Sequence, residues 1–293
     1  MKPAPFEYYA PDSIDEALSY LAEFGYDAKV LAGGQSLIPM MNFRLAQPSV
    51  IVDVNNIKGL FFIQPNENGG LRIGAMTRHH QVEESKLVAD RAPLISETMP
   101  QIATVQVRSR GTFGGSVSHA DPSAELTAVS VALKGSFLLR SQKKERWVPA
   151  HDFFVGLFSS VLEPDEMLIE AKFPALPERS GCAMVEVARR PHDFALVGVA
   201  AVVTLTKDNI CKNARIVLLS VGEHPMQAQL AEQMLIDTKL TPESLRAAAE
   251  TAAKSDIDPG GDIHASAEFR RHLASVLTYR ALDKAFARAR GDG

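Results

Sequence analysis

The stretch from Arg108 to Glu125, Arg-Ser-Arg-Gly-Thr-Phe-Gly-Gly-Ser-Val-Ser-His-Ala-Asp-Pro-Ser-Ala-Glu, constrains this chain more than any other. Gly111, Gly114 and Gly115 are interleaved with hydroxyl residues and lead through Ala120-Asp121-Pro122 into an apolar run, Leu126 to Leu133. Glycine has no β-carbon and accepts positive φ, so such a stretch can curl tightly and point successive N–H groups at one spot. An anion, above all a phosphate, suits that spot. The same letters also describe a plain turn between two elements, because short glycine-rich matches are frequent by chance. A second loop of the same kind separates the two readings, since a ligand with two ends needs two holders.

That loop is Gly33-Gly34-Gln35-Ser36. Ahead of it, Phe6 to Tyr9 reads as a strand. Ser13 and Glu16 form a capping box for a helix that carries Ile14, Ala17, Leu18 and Leu21 on one face and stops at Gly25. Lys29 to Ala32 is a compact apolar strand running straight into the glycines. Leu37 to Phe43 is predicted helical, with Pro39 tolerated in the first turn, and Val50 to Asp53 is the next strand. The glycines therefore lie at the carboxyl end of a strand in a small α/β unit, where free N–H groups gather. Neither loop has the Gly-x-Gly-x-x-Gly spacing, so a dinucleotide here is held by a different device.

From Ile57 to about Pro174 the pattern changes. Phe61 to Ile63 and Leu71 to Ile73 flank a glycine-rich turn, Phe137 to Leu139 and Arg146 to Val148 flank the polar stretch from Ser141 to Glu145, and Leu168 to Phe173 adds a strand. Helices are predicted after Thr77 (as cap) through His79, His80 and Val82, over residues 87–99 with a turn near Pro93, and from Pro122 to Leu133 with Asp121 as N-cap. Adjacent histidines point to different helix faces, which argues for hydrogen-bonding roles and against a metal pair. Strands joined by hairpins describe an antiparallel α+β subdomain. Pro174-Ala175-Leu176-Pro177 reads as a linker. Beyond it come strands over Ala183 to Ala188, Val197 to Leu205 and Ala214 to Ser220, then helices over Gln227 to Ile236, Pro242 to Lys254 and Ala265 to Arg290.

The fold class is thus α+β. Residues 1–175 form a two-part domain, a small α/β unit over 1–56 and an antiparallel subdomain over 57–175. Residues 176–293 form a small antiparallel sheet with C-terminal helices. A length of 293 residues suits two domains. The net charge of -4 gives no electrostatic case for nucleic acid or an anionic membrane. No run approaches the ~20 apolar residues of a membrane span, and Met1 to Pro5 begins no signal sequence, so the expected location is cytoplasmic. Cys182 and Cys211, the 2 cysteines, read as buried free thiols. An iron–sulfur cluster usually draws on twice as many thiolates, and the pair has no zinc-site spacing.

Taken together, Ala32-Gly33-Gly34-Gln35-Ser36-Leu37-Ile38-Pro39 and Gly111-Thr112-Phe113-Gly114-Gly115-Ser116, followed by His119-Ala120-Asp121-Pro122 and Glu125, resemble the FAD-binding medium subunit of the molybdenum hydroxylases. That family includes the medium chain of aerobic carbon monoxide dehydrogenase and the flavin part of xanthine dehydrogenase. The resemblance runs over nearly the whole chain and takes in Val52-Asp53, Arg72 to Thr77 and Arg189 to Ala195. It implies a cofactor-binding set of Ala32, Gly33, Gly34, Gln35, Ser36, Leu37, Ile102, Gly111, Thr112, Gly114, Gly115, Ser116, Asp121, Glu125 and Leu168. The FAD pyrophosphate belongs near Gly33 to Ser36 and Thr112 to Ser116. By position, Ile102 touches the flavin region, Glu125 a ribityl or ribose hydroxyl, and Leu168 the apolar side of the cofactor. Core packing accounts equally well for Ile102 and Leu168, and a helix-surface charge for Glu125. Phe194 stands where an aromatic covers the isoalloxazine, or else in the core. Ser116 replaces an asparagine of many relatives but still donates and accepts. Val185-Glu186 replaces a lysine that some relatives carry, which argues against nicotinamide binding as in the xanthine enzymes.

The resemblance further implies an electron-transfer subunit with no catalytic acid, base or metal ligand of its own. Molybdopterin belongs to a large partner subunit and [2Fe–2S] clusters to a small one, in a dimer of heterotrimers. FAD in this chain passes electrons to an external acceptor. A different reading is a stand-alone flavin oxidase or reductase with its own pocket, for which His119 and His192 are the available acid–base groups. A third is a non-redox nucleotide-binding scaffold.

Overall fold

Three parallel strands open the computed structural model, which describes residues 2–292. They are β1 (Glu7–Tyr9), β2 (Ala28–Leu31) and β3 (Val50–Asp53), in the order β1-β3-β2. Between β1 and β2 runs α1 (Ile14–Phe24), and between β2 and β3 runs α2 (Leu37–Asn42). Ser13 caps α1, its hydroxyl accepting from the Glu16 N–H at 3.2 Å. The Glu16 carboxylate reaches back to the N–H of Asp12 and not to that of Ser13, so only half of the expected capping box forms. Ala17, Leu18 and Leu21 are buried, and Gly25 ends the helix at φ 50°.

The second part is a five-stranded, wholly antiparallel sheet. Its strands are β4 (Ile63–Pro65), β5 (Leu71–Gly74), β6 (Ser136–Arg140), β7 (Glu145–Pro149) and, after the small hairpin of β8 (Phe154–Gly156) and β9 (Ser159–Ser160), β10 (Met167–Phe173). The spatial order is β4-β5-β10-β6-β7. Six helices fill the long connection from β5 to β6: α3 (His79–Glu83), α4 (Lys86–Arg91), α5 (Pro93–Thr98), α6 (Val105–Arg110), α7 (Phe113–His119) and α8 (Glu125–Ala132). A single turn, α9 (Ala150–Phe153), follows β7.

Several local expectations are corrected here. The helix expected over 87–99 is two helices, because Pro93 removes a donor and turns Ala92 out of the helical region. Thr77 does not cap α3; its hydroxyl donates to the Phe62 carbonyl at 2.9 Å, and Arg78 is the N-cap residue. Asp121 does not cap α8, which starts three residues after Pro122 at Glu125; its carboxylate instead accepts the Ser123 N–H at 2.8 Å and closes a tight turn. Gly114 and Gly115 are not a coil but lie in the first turn of α7, whereas Gly111 ends α6.

The third part is an antiparallel sheet of β11 (Ser180–Ala188), β12 (Ala195–Leu205), β13 (Cys211–Leu219) and β14 (Met226–Gln227), followed by α10 (Gln229–Leu235), α11 (Pro242–Thr251) and the 24-residue α12 (Ala267–Arg290). Every residue of β12 is buried, because both faces of the sheet are covered. Val199, Ala201 and Val203 pack toward α12 with Leu273, Leu277 and Leu282. Ala200 and Val202, with Cys182 and Met184 of β11, pack with Leu126 and Val129 of α8. The apolar core therefore runs on past the Pro174–Pro177 connection. Both cysteines are buried and unpaired, and burial pushes their thiols up to about 12 at Cys182 and about 11 at Cys211. No helix among the described residues is long and apolar enough to cross a membrane.

Candidate functional site

Ala32 to Ser36 join β2 to α2 at the carboxyl edge of the parallel sheet. Gly34 takes φ 74°, a conformation that only glycine adopts without cost. The Gln35 amide donates back to the Gly33 carbonyl at 3.1 Å and holds the curl. The N–H groups of Gly33, Gly34, Gln35 and Ser36 make no hydrogen bond among the described residues. Four consecutive uncommitted donors in a curled segment make a concavity suited to an anion.

The second glycine segment works differently from the expectation. The N–H groups of Phe113, Gly114, Gly115 and Ser116 are already taken, by the carbonyls of Thr77 (3.0 Å), Ala75 (2.8 Å) and Thr112 (3.0 Å, to Ser116) and by the Thr112 hydroxyl (3.1 Å, to Gly115). Its glycines serve close approach. A β-carbon on Gly114 would stand 2.6 Å from that of Ala75, and one on Gly115 would stand 2.5 Å from the Thr112 hydroxyl and 3.6 Å from Ala32. The second segment is mainly a wall: from Thr112 to Ser116 only the Thr112 N–H makes no hydrogen bond among the described residues, and the run of open donors belongs to the first.

The two segments touch. A β-carbon on Gly33 would stand 2.9 Å from Gly111 Cα and 3.0 Å from the Arg110 carbonyl carbon. Two side chains outside the predicted set tie them together. Asn55 donates to the Ala32 carbonyl at 2.9 Å, and Arg78 spans from the Asn55 amide oxygen (2.5 Å) to the Arg110 carbonyl. Asp53 steadies Asn55 by accepting its N–H at 2.9 Å and takes the Tyr8 hydroxyl at 2.6 Å. Against the first segment opens a cleft of about 380 Å³ floored by Gly33, Gly34 and Gln35, with Asp53, Asn55 and Arg110, the residue before the second segment, on its sides. Arg110 forms no ion pair among the described residues, so its guanidinium is available to whatever enters. Burial first, and then the charge of Arg110, hold Arg78 below its usual pKa.

The remaining predicted residues sit behind this cleft. Ile102 and Leu168 are both buried in one apolar cluster with Phe113. Leu168 precedes Ile169, whose carbonyl accepts the Ala75 N–H at 2.9 Å, and Ala75 in turn accepts from Gly114; β10 thus backs directly onto α7. Glu125 is the first residue of α8 and is 8% exposed, which corrects its reading as a helix-surface charge. Burial, reinforced by Asp121, pushes its carboxyl up to about 7. Glu186 alternates with Cys182 and Met184 on the face of β11 that looks toward α8, and burial followed by the field of Glu125 pushes it up to about 8. Two acidic side chains that hold protons near neutrality therefore lie behind the glycine wall, and Glu186 Oε2 is buried without a partner. Phe194 stands on the turn between β11 and β12 and is 73% exposed, not in the core. His119 ends α7 with its ring 5.0 Å from that of Phe158, and burial lowers its pKa; His192 lies on the same turn as Phe194, at φ 70°.

Asn55 and Arg78 were missed because each acts over a long separation in the chain. The one usable signal was position: Asn55 follows a strand whose carboxyl end already held a glycine loop in its neighbour.

Comparison with known proteins shows the family. Residues 4–176 match the FAD binding domain in molybdopterin dehydrogenase, and residues 183–285 match the CO dehydrogenase flavoprotein C-terminal domain. The chain is 41% identical over 290 residues to the 6-hydroxypseudooxynicotine dehydrogenase complex subunit alpha of Paenarthrobacter nicotinovorans, covering 99% of this chain and 97% of the relative. It is 37% identical to the carbon monoxide dehydrogenase medium chain of Hydrogenophaga pseudoflava, covering 98% of this chain and 99% of the relative. A solved chain of carbon monoxide dehydrogenase from the same organism, in a form lacking the Mo-pyranopterin moiety, superposes with a TM-score of 0.95 over 98% of this chain and 99% of that one, at 37% identity. With a matched cofactor domain, a matched C-terminal domain and end-to-end relatives, the chain belongs to the molybdenum hydroxylase family as an FAD-binding medium subunit, the flavoprotein component of an oxidoreductase.

Proposed function

We propose that this chain holds FAD between the Ala32–Leu37 and Gly111–Ser116 segments and passes electrons from [2Fe–2S] clusters of a small partner subunit to an external acceptor. A large molybdopterin subunit oxidises the substrate, and the three chains assemble as a dimer of heterotrimers in the cytoplasm. The observation that carries the reading is the direct contact of the two glycine segments, with four uncommitted N–H donors on one and the free Arg110 guanidinium beside the other.

These residues fit the cofactor. A pyrophosphate is doubly anionic and meets backbone N–H groups and guanidinium without needing a strongly basic surface. The uncommitted N–H groups take the phosphate oxygens, and Arg110 adds charge at the cleft's rim. Glycine at 33 and 115 keeps the wall close to the first loop, and glycine at 114 lets the wall approach Ala75 behind it. Ile102 and Leu168 supply the apolar flank, and Glu125, holding a proton near neutral pH, meets a ribityl or ribose hydroxyl as donor or acceptor. Asp121 shapes the turn that delivers Glu125. Phe194, exposed on its turn, is free to lie over the ring system. When bound, FAD supplies the redox chemistry, and the protein supplies position, access and electrostatics. Residues 1–175 carry the cofactor, and residues 176–293 form a second domain that bears Phe194. The relatives' names, a subunit of a dehydrogenase complex and a medium chain, support a chain that works with partners.

Purifying the native complex tests this reading. The expected result is co-purification of a large and a small subunit with FAD, iron and molybdenum in fixed ratio. A chain that purifies alone with FAD and oxidises a small substrate replaces this reading with the stand-alone oxidase. A folded chain that binds no flavin replaces it with the non-redox scaffold.

A further inference from the structure

We infer that His79 is a positioning residue of the cofactor cradle, holding the Thr112 segment in place through one N–H donated to the Thr112 carbonyl. The inference rests on the proposal that this cradle binds FAD. His79 opens α3 and is 4% exposed. Its backbone N–H donates to the Gly111 carbonyl at 3.0 Å, and its ring Nε2 lies 2.9 Å from the Thr112 carbonyl oxygen. A carbonyl only accepts, so Nε2 carries the hydrogen. The other ring nitrogen, Nδ1, is buried and has no partner. The ring also packs against the glycine segment: a β-carbon on Gly111 would stand 3.0 Å from Nδ1.

An orphaned acceptor is a cost that a leucine or phenylalanine here would avoid. What histidine provides and they do not is the Nε2–H. That donor reaches the residue on which the wall depends, since the Thr112 carbonyl also accepts from Ser116 and the Thr112 hydroxyl accepts from Gly115. The ring stays neutral, because burial first, and the neighbouring Arg108 and Arg78 after it, hold its pKa at about 4. No carboxylate bonds to the ring among the described residues; Glu83, the acid of α3, is engaged by Arg108 at 2.8 Å.

The position of Glu83 extends the argument. It lies one turn after His79 on the same side of α3. Arg108, which it binds, donates to the carbonyls of Ile102 (3.0 Å) and Ala103 (2.8 Å). One short helix thus braces the phosphate end of the cradle through His79 and the Ile102 segment through Glu83 and Arg108.

The test compares two substitutions in the full chain after its flavin has been stripped. His79→Gln keeps an N–H at nearly the reach of Nε2, whereas His79→Leu keeps apolar volume and removes the donor. FAD is titrated into each apoprotein, and the apoprotein melting temperature is recorded alongside. The expected result is an FAD Kd within about threefold of wild type for Gln and raised about tenfold for Leu, the scale of one buried hydrogen bond, with the Leu apoprotein melting no lower than the Gln one. A packing role predicts the reverse order, because a buried apolar site prefers leucine. Wild-type affinity in the Leu variant, or affinity losses that simply follow melting temperature in both, overturns the inference. Should the Leu variant fail to fold, His79→Asn, polar but too short to reach Thr112, stands in for it under the same criteria. If wild-type apoprotein takes up no FAD at all, it is the underlying cofactor assignment that fails.

Discussion

Gly33 faces Gly111 so closely that a β-carbon on the first would come within 2.9 Å of the Cα of the second. Backbone stands on both sides of this contact, so no flexible side chain is there to yield. Gly33→Ala should therefore push the segments apart at a cost on the scale of overpacking, about 1–3 kcal/mol. Because the contact lies at the cleft and the main cores are elsewhere, the cost should fall on FAD affinity, a loss of roughly 5- to 150-fold. The flavin-to-protein ratio after gel filtration measures it. Full flavin occupancy in this variant would contradict the placement of the cofactor between the two segments.

Arg110 offers a cleaner separation of binding from folding. Arg110 lines the cleft, and its guanidinium takes part in no ion pair among the described residues. Removing it by Arg110→Ala should leave the apoprotein's melting temperature within about a degree, as for most exposed surface substitutions. FAD affinity should fall about tenfold, the scale of one charge-assisted contact to phosphate. The wild type should also lose affinity faster than the variant as salt rises, since a partly exposed charge pair is screened. Parallel salt curves for the two proteins would remove Arg110 from the phosphate site.

What was legible in the sequence follows from how local each cause is. Ser13, Gly25, Gly34 and Pro93 act within a few residues, and the structure places their turns and caps nearly where the letters put them. The Gly111 to Ser116 segment defeated a local reading because helix there is imposed from outside. Gly114 bonds to Ala75 and Phe113 to Thr77, and these tertiary partners outweigh the poor helix propensity of two glycines. The Asn55–Arg78 clamp was hidden for a related reason: Arg78 reaches a carbonyl 32 residues away, and nothing in its neighbours announces that. Glu186 looked like an ordinary strand residue. Only its tertiary setting, half-buried on the β11 face it shares with Cys182 and Met184 and near Glu125, turns it into a desolvated acid.

That desolvated acid sets a pH dependence that can be measured without any partner. Glu186 and Glu125 have folded-state values of about 8 and about 7, raised above the ordinary carboxyl range. A raised acid contributes stability that is fully present below its unfolded value and is lost as pH rises through the folded one. His79 works in the opposite sense: held at about 4, it contributes stability present above about 6.5 and lost as pH falls toward 4. Apoprotein stability should therefore decline from pH 6.5 to 8.5, with these two carboxyls contributing to the loss. Glu186→Gln should flatten that decline and gain on the order of 1–2 kcal/mol over wild type at pH 8.5. Denaturant unfolding at both pH values is the check, and an equally steep decline in the variant would remove Glu186 as its source.

Glu166, which is not among the residues lining the cleft, provides the contrasting case. Its burial alone would raise its pKa, but a two-pronged bond from Arg146 (2.9 and 2.7 Å), the Glu163 N–H at 3.0 Å and the Lys144 ammonium pull it down to about 2. A lowered acid contributes stability present above its unfolded value and lost as pH falls through the folded one, so this pair matters at pH 7 and fades toward pH 2. Arg146→Met leaves the buried carboxylate with only the Glu163 N–H and the Lys144 ammonium, which should cost about 1–3 kcal/mol at pH 7. The cost should shrink as the pH drops below 4, where the stranded group protonates. Since Arg146 lies on β7, the edge strand of the central sheet, any variant protein that folds should bind FAD with wild-type affinity. A variant that loses flavin in proportion to stability would show that the sheet edge and the cradle unfold as one unit.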